Sequence, residues 1–553
     1  MLFHRFQGAV SIFFLCLCLS ACGGGENSST VAGSGDVVSV SLETACSGDN
    51  GDSCGAAGAT SYAGQGIGVW SYSNTSQSEQ LVSVSLSGLG SKPVTLIYTN
   101  TGDSYQPMPS LTLTPLYTQR SQSQQELPEA RPSAAVNRIP ALVRNFKPLL
   151  PALTTEGARK QVLGDTSVTP QAIGSERSWY VSVDDNLIQS RQATLRRQAT
   201  VGDRTINLWL ENTEYGADKV SDAMLDTLLE KVASGSNAVY TQVSDLIGQP
   251  WGEHAYTSLI APSQPLDVVF VNFVPDGAAY GLLGYFWSAN NFKKDAQNDF
   301  LKYSNESLSV FIDTETLYLV GSLGMTDQVS TLAHELVHAV NFYQRNVRQG
   351  SSYAFETFLE EMSAVMIEDI LAQRITPGSN SVKDSRIAGW FANPGFNCDF
   401  AFWINDAGAQ CFGYNQAGSL GAYLVRQHGV GFYQKLLQNT SSSNSLDVLT
   451  NAIAQAGGPS LATTLERWAA NAALLPPQAP AGFGWPARTD QGINLEAIDG
   501  QIYASLRNLP LTVPSSLAPH GGSFPFQRSP NWQGVYEEQF SLPPGVALTA
   551  VVQ

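Results

Sequence analysis

Charge is scarce in this chain. Only 14% of its 553 residues are Asp, Glu, Lys or Arg, and 30 Lys and Arg face 47 acidic residues, for a net charge of −17. A general phosphate-binding role would work against repulsion, so no nucleic-acid partner is expected. Long apolar runs are scarce too. Beyond the N-terminus none reaches the roughly 18 uninterrupted apolar residues of a membrane helix. What is there instead is a neutral-polar composition: 43% apolar residues, with 49 Gly and 28 Pro among many Ser, Thr, Gln and Asn. That is enough apolar material for a sizeable core and is not the composition of a disordered protein. At roughly 150 residues per domain, about three or four folding units are expected.

The first 22 residues, MLFHRFQGAVSIFFLCLCLSAC, place one positive charge at Arg5 before an apolar run from Ile12 to Leu19 and the small residues Ser20 and Ala21. This pattern reads as an export signal over 1–21. Leu19-Ser20-Ala21-Cys22 resembles the bacterial lipoprotein lipobox, which implies a lipid on Cys22 and attachment to a membrane through that lipid. Residues 22–35 are a Gly/Ser-rich tether. The expected location is the bacterial cell envelope, lipid-anchored and extracytoplasmic, at the outer membrane or cell surface.

Of the seven cysteines, four lie outside the signal and the lipidation position. They form two local pairs, Cys46 with Cys54 and Cys398 with Cys411, as disulfides in an oxidising compartment would. Neither pair has the close C-x-x-C spacing of a metal site. The loop SGDNGDS between Cys46 and Cys54 has two carboxylates and reads as a loop rather than a calcium site.

Residues 36–118 alternate in short runs (VVSVSLETA, QLVSVSLSGLG, PVTLIYTN) and predict a small β-sandwich-like domain. Residues 119–175, rich in Gln, Arg, Ser and Pro, read as a linker or removable pro-region. Strand patterns return at 178–183, 193–201, 205–212, 266–273 and 307–318. A helix is expected where Met224, Leu225, Leu228, Leu229 and Val232 recur at 3–4 spacing. From 320 to about 476 the pattern is mainly helical, so one domain is expected over 176–476. A Pro/Gly-rich region with short strands, 477–553, follows.

The segment TDQVSTLAHELVHAVNFYQR (326–345) predicts a helix capped by Thr326 or Asp327. His334 and His338 are four residues apart, which puts both imidazoles on one face about 6 Å apart along the axis. Glu335 lies beside the first of them, placed to reach a water rather than a metal. The flanks Leu332, Ala333, Leu336, Val337, Ala339 and Val340 make the helix apolar nearly all round, and polar side chains there are costly to bury without a partner. One zinc ion per chain is the simplest partner. A catalytic zinc takes three protein ligands, and FETFLEEMSAVMIEDI (355–370) predicts a second helix on which Glu361 flanks the apolar face while Glu360 points to solvent. Glu356 and Glu368 are rivals with worse positions, and Asp369 is expected to orient a ligand histidine.

HELVHAVNFYQR, followed by the Glu of TFLEEMSAVMIEDI, resembles the gluzincin metallopeptidases, and in particular the hyicolysin family. GLLGYFWSANNF (281–292) and SNESLSVFIDTETL (304–317) add to the likeness, which covers about residues 205–475. The resemblance implies zinc ligands His334, His338 and Glu361, an acid/base at Glu335, and protein or peptide substrates. It departs from the common gluzincin pattern where Glu360-Glu361-Met362 replaces Asn-Glu-Gly or Asn-Glu-Ala. The expected fold class is thus α+β: a gluzincin-like metallopeptidase domain with a mainly helical C-terminal lobe, preceded by the β-sandwich-like domain. For the donor that steadies a developing oxyanion, the candidates are Tyr414, Tyr423 and His428; His254 and His520 read as surface or turn residues. The main function expected is zinc-dependent endopeptidase activity on extracytoplasmic proteins. The alternative is a surface adhesin or binding lipoprotein with a structural zinc; an exopeptidase finds no motif for gripping a free amino terminus.

Overall fold

Alternating burial defines the strands nearest the N-terminus. In the computed structural model, which describes residues 40–46, 54–113, 139–150, 168, 170–393 and 395–553, Val82, Val84 and Leu86 are buried while the residues between them are half-buried, the period of two expected of a pleated strand. The export signal, the tether, Cys22, the 47–53 loop and most of 119–175 lie outside the described residues.

In chain order the main elements begin with β1 (Val40–Ser41), β2 (Glu43–Thr44), β3 (Gly68–Ser73), β4 (Gln80–Leu86) and β5 (Val94–Asn100). Then come β6 (Glu176–Asp184), β7 (Leu187–Val201), β8 (Arg204–Glu211), α1 (Asp222–Leu229), α2 (Val239–Ile247), β9 (Leu266–Val271), β10 (Gly284–Phe286) and β11 (Leu308–Asp313). Helices α3 (Gly321–Asn341), α4 (Thr357–Ile375), α5 (Gly413–His428), α6 (Val430–Gln438), α7 (Ser445–Gln455) and α8 (Leu461–Ala469) precede β12 (Ser523–Arg528), β13 (Tyr536–Leu542) and β14 (Val546–Val552). The helix and sheet content is that of an α+β protein.

The sandwich draws on two distant stretches of chain. One sheet runs β1-β4-β13 and the other β12-β5-β14-β3-β2, so β14 sits between two strands made more than 400 residues earlier. Trp70, Val84, Leu96, Phe524, Phe540 and Leu548 share its core. The opposite face of the larger sheet, at Val69, Ile97 and Val551, packs on Ala469, Ala470 and Leu475 at the end of α8. Ser73 Oγ also donates to Glu466 Oε2 at 2.7 Å. Residues read separately as an N-terminal domain and a C-terminal region are thus interleaved, because strand pairing is non-local and leaves no mark in local pattern.

The second sheet runs β10-β11-β9-β8-β7-β6. Its three central strands, β8, β9 and β11, are parallel and buried on both faces, as parallel strands require. Leu208, Leu210, Val268, Phe270, Val310 and Ile312 face the helices. Trp209, Val269, Val271 and Phe311 face the other way, onto Trp179 and Tyr285. Within the stretch read as a linker, Ile139 and Leu150 are buried and Phe146 meets the rings of Phe292 and Phe300.

Helix α3 lies against β10, β11 and α4. It starts at Gly321, earlier than the expected cap. Thr326 Oγ1 instead donates to Ser322 O at 3.0 Å, and Asp327 is buried, accepting from Tyr280 Oη at 3.1 Å. The earlier start depends on close approach to the preceding turn. A Cβ at Gly324 would lie 1.8 Å from the Thr316 carbonyl oxygen, a contact that only glycine escapes.

Asp369 does not orient a histidine. It turns toward α5 and receives both Nη atoms of Arg426, Nη2 reaching Oδ1 at 3.1 Å, with both side chains essentially inaccessible. Nearly every side of α4 is covered, so one apolar face does not reveal which neighbour an acid meets. Asp369→Ala would strand a buried guanidinium. We expect it to lower unfolding free energy by about 3–5 kcal/mol, read from denaturant titration.

Candidate active site

The site is built where α3 crosses α4. His334 and His338, one turn apart, have ring centroids 4.9 Å apart. Their Nε2 atoms lie 3.3 and 3.7 Å from the same Glu361 oxygen, and one ligand atom from each of the three residues falls within 4.8 Å of the others. All three residues are buried. The far side of each ring is also held. His334 Nδ1–H donates to Glu368 Oε1 at 2.7 Å and His338 Nδ1–H to Glu360 Oε1 at 2.8 Å. Both imidazoles therefore turn Nε2 toward Glu361.

Electrostatics shows what this cage demands. Burial alone would depress the imidazoles, but Glu361 and Glu368 outweigh it at His334 and push its pKa up to about 10. At His338 the charge of Glu361 and the hydrogen bond to Glu360 outweigh burial as well and raise the pKa. Burial opposes ionisation of Glu361 and Glu368, yet the histidines hold both carboxyls below the usual range. A positive charge belongs between these groups. Moreover, His338 Nε2 is buried with no hydrogen-bond partner, the expense that an absent ligand to that nitrogen leaves behind. Two imidazole nitrogens and a carboxylate oxygen form the donor set of an open divalent metal site. The residues present fit such an ion.

Glu335, fully buried, accepts the backbone N–H of Phe286 from edge strand β10 at 2.8 Å; burial holds its carboxyl above the ordinary value. Tyr414 enters from the first turn of α5. Its ring lies 6.1 Å from that of His334, and burial and the charge of the nearby Glu361 raise its pKa strongly. Arg386 stacks over the Tyr414 ring at 4.9 Å. Trp403 meets the ring edge-on at 4.8 Å and comes from the loop closed by the Cys398–Cys411 disulfide. The other expected bridge, Cys46–Cys54, is also formed.

Three features of the site eluded sequence reasoning. Glu368 holds the far side of His334 rather than joining the His334–His338–Glu361 cluster. Its position seven residues after Glu361 puts it on the same face of α4, a signal that could have revealed it. Glu360, expected in solvent, is drawn in by the second histidine. The support from Phe286 and Trp403 depends on tertiary contact and has no local signal.

Other candidates are not brought here. His428, at the end of α5, is 14 residues beyond Tyr414, or about 21 Å of helix. It packs by Phe432, and burial together with Arg488 and Arg467 lowers its pKa to about 4. Tyr423 donates to Gly482 O at 2.8 Å. His254 lies against Trp251, hydrogen-bonded to Ile260 O at 2.8 Å, and His520 pairs with Asp399 at 3.0 Å. Glu356 is exposed at the N-cap of α4.

His334 and Glu335 line a cavity of about 40 Å³ with Leu283, Asp327, Ser330, Thr331, Glu368, Ser381, Ser385, Arg386 and Tyr414. Beyond Tyr280 and Leu282 lies a groove of about 950 Å³.

A mixed sheet backing an HExxH helix, with a third buried donor from the next long helix, defines a metal-dependent hydrolase. Its family is specific: the peptidase M30 model matches residues 187–553, and the chain belongs to that family, whose members are metallopeptidases acting on protein or peptide substrates. Residues 44–113 match a domain of unknown function, DUF8571. No curated protein matches the chain.

If Glu368 orients His334, Glu368→Ala should weaken divalent-metal affinity about 10–100-fold, measured by competition with a chromophoric chelator. Glu360→Ala should cost less, since the Glu360 side chain is 26% exposed against 6% for Glu368, where water can take over its role.

Proposed function

We propose that this chain is a zinc endopeptidase of the hyicolysin type that cuts extracytoplasmic proteins while tethered by a lipid on Cys22. The observation that carries the reading is the convergence of His334, His338 and Glu361 with Glu335 alongside. Those three residues would hold the metal. When bound, zinc supplies Lewis acidity and makes a water nucleophilic near neutral pH.

The protein's own groups do the rest. The Glu335 carboxylate accepts the proton of the attacking water and delivers it to the leaving amine. The Phe286 N–H keeps one Glu335 oxygen fixed. The Tyr414 hydroxyl donates to the oxyanion that develops on the substrate carbonyl. Trp403 and Arg386 hold its ring at the correct tilt. A purely structural metal site gains nothing from a buried carboxylate such as Glu335, and this weighs against the adhesin reading. The 950 Å³ groove offers room for an extended chain, consistent with internal cleavage. The lipobox and the two disulfides support an envelope location.

Purified protein should contain one zinc and hydrolyse casein, with activity lost to a chelator and restored by zinc. Glu335→Gln should retain the metal and lose about 10²–10⁴-fold in kcat. Tyr414→Phe should lower kcat about 10²–10³-fold with KM little changed. Metal-bearing protein that cleaves neither casein nor a peptide library would favour the adhesin. Labelling with a fatty acid in a bacterial host should mark the protein but not Cys22→Ser, and a labelled Cys22→Ser product would refute the anchor.

A further inference from the structure

Resting on the peptidase reading, we infer that one of the two positions flanking the scissile bond admits only a small side chain, Gly, Ala or Ser, in the cavity under Leu283, Thr331 and Ser385. That cavity measures about 40 Å³. A water needs roughly 10–15 Å³ on this measure, so about three fit. One of these places, beside His334 and Glu335, is needed for the attacking water. What remains takes a side chain of about two heavy atoms, which excludes Val, Leu and the aromatics.

The walls are set by packed backbone rather than by free rotamers. Ser330 and Thr331 stand on α3, and Thr331 Oγ1 is tied to Asp327 O at 2.9 Å. Leu283 is 6% exposed, and its carbonyl accepts from Asp313 N at 2.8 Å. Ser385 and Arg386 belong to the helical turn Val382–Ile387, which packs on α5 so closely that a Cβ at Gly418 would lie 2.3 Å from Arg386 Cβ. Widening the cavity therefore means moving helices, which close packing resists. The groove beyond Tyr280 has no such limit, so the restriction falls on one side of the bond.

The test is to sequence the peptides that the purified protein releases from casein, with Glu335→Gln as the blank, and to measure kcat/KM on peptides varied at each flanking position. Gly, Ala or Ser should dominate one position, and Leu there should lower kcat/KM at least about tenfold relative to Ala. Leu283→Ala should raise the Leu-to-Ala ratio about tenfold. Thr331→Ala, which trims the part of the wall that α3 supplies, should shift the ratio the same way and guards against misfolding of the first variant. Peptide binding to Glu335→Gln protein, followed by fluorescence anisotropy, should show the same order without turnover. Equal cleavage of bulky and small residues at both positions, or ratios unmoved in both variants, would overturn the size rule while leaving the peptidase reading intact. Absence of any Glu335-dependent cleavage would overturn both.

Discussion

The molecule is organised around a buried knot of like charges that only a cation can relieve. Glu361, Glu368, Glu360 and Glu335 surround two imidazoles at the crossing of α3 and α4, in a helix pair otherwise lined with Leu, Val, Ala and Met. Carboxylates in such surroundings are tolerated only when paired. The histidines pair them while protonated, and a divalent metal pairs them better, because it also satisfies His338 Nε2. The rest of the domain keeps this crossing rigid: the sheet supports α3 from one side, α5 clamps α4 through Arg426, and edge strand β10 lends Glu335 a backbone donor.

How much of this could be read in advance followed from how local each cause is. His334, Glu335 and His338 are legible because one turn of helix fixes their relation whatever surrounds it. Glu361 was legible because its helix shows an apolar period. The same period misassigned Asp369, since α4 is enclosed on almost every side and a second partner, Arg426, approaches from a helix more than 50 residues away. The start of α3 was misplaced because the decisive fact is a contact between Gly324 and Thr316, invisible to cap rules. The oxyanion candidates Tyr414, Tyr423 and His428 all lie on α5, and only the placement of its first turn beside His334 separates Tyr414 from the other two.

The loop between Cys398 and Cys411 joins stability to chemistry. It carries Trp403, which rests on Gly413 so tightly that a Cβ there would lie 2.6 Å from the indole. The first turn of α5, and with it Tyr414, is thus held by a covalently closed loop. Its Asn405, Asp406 and Ala407 meanwhile form part of the groove wall. An oxidising compartment suits such a support.

The interleaved sandwich bears on how the molecule comes into being. Strands β3 and β5 leave the ribosome with their shared neighbour β14 still unmade, so their hydrogen-bonding edges stay open while the entire catalytic lobe is synthesised. Such edges invite wrong partners. A chain exported in the extended state would meet all its strands at once and avoid that interval, whereas folding on the way out of the ribosome would pass through it.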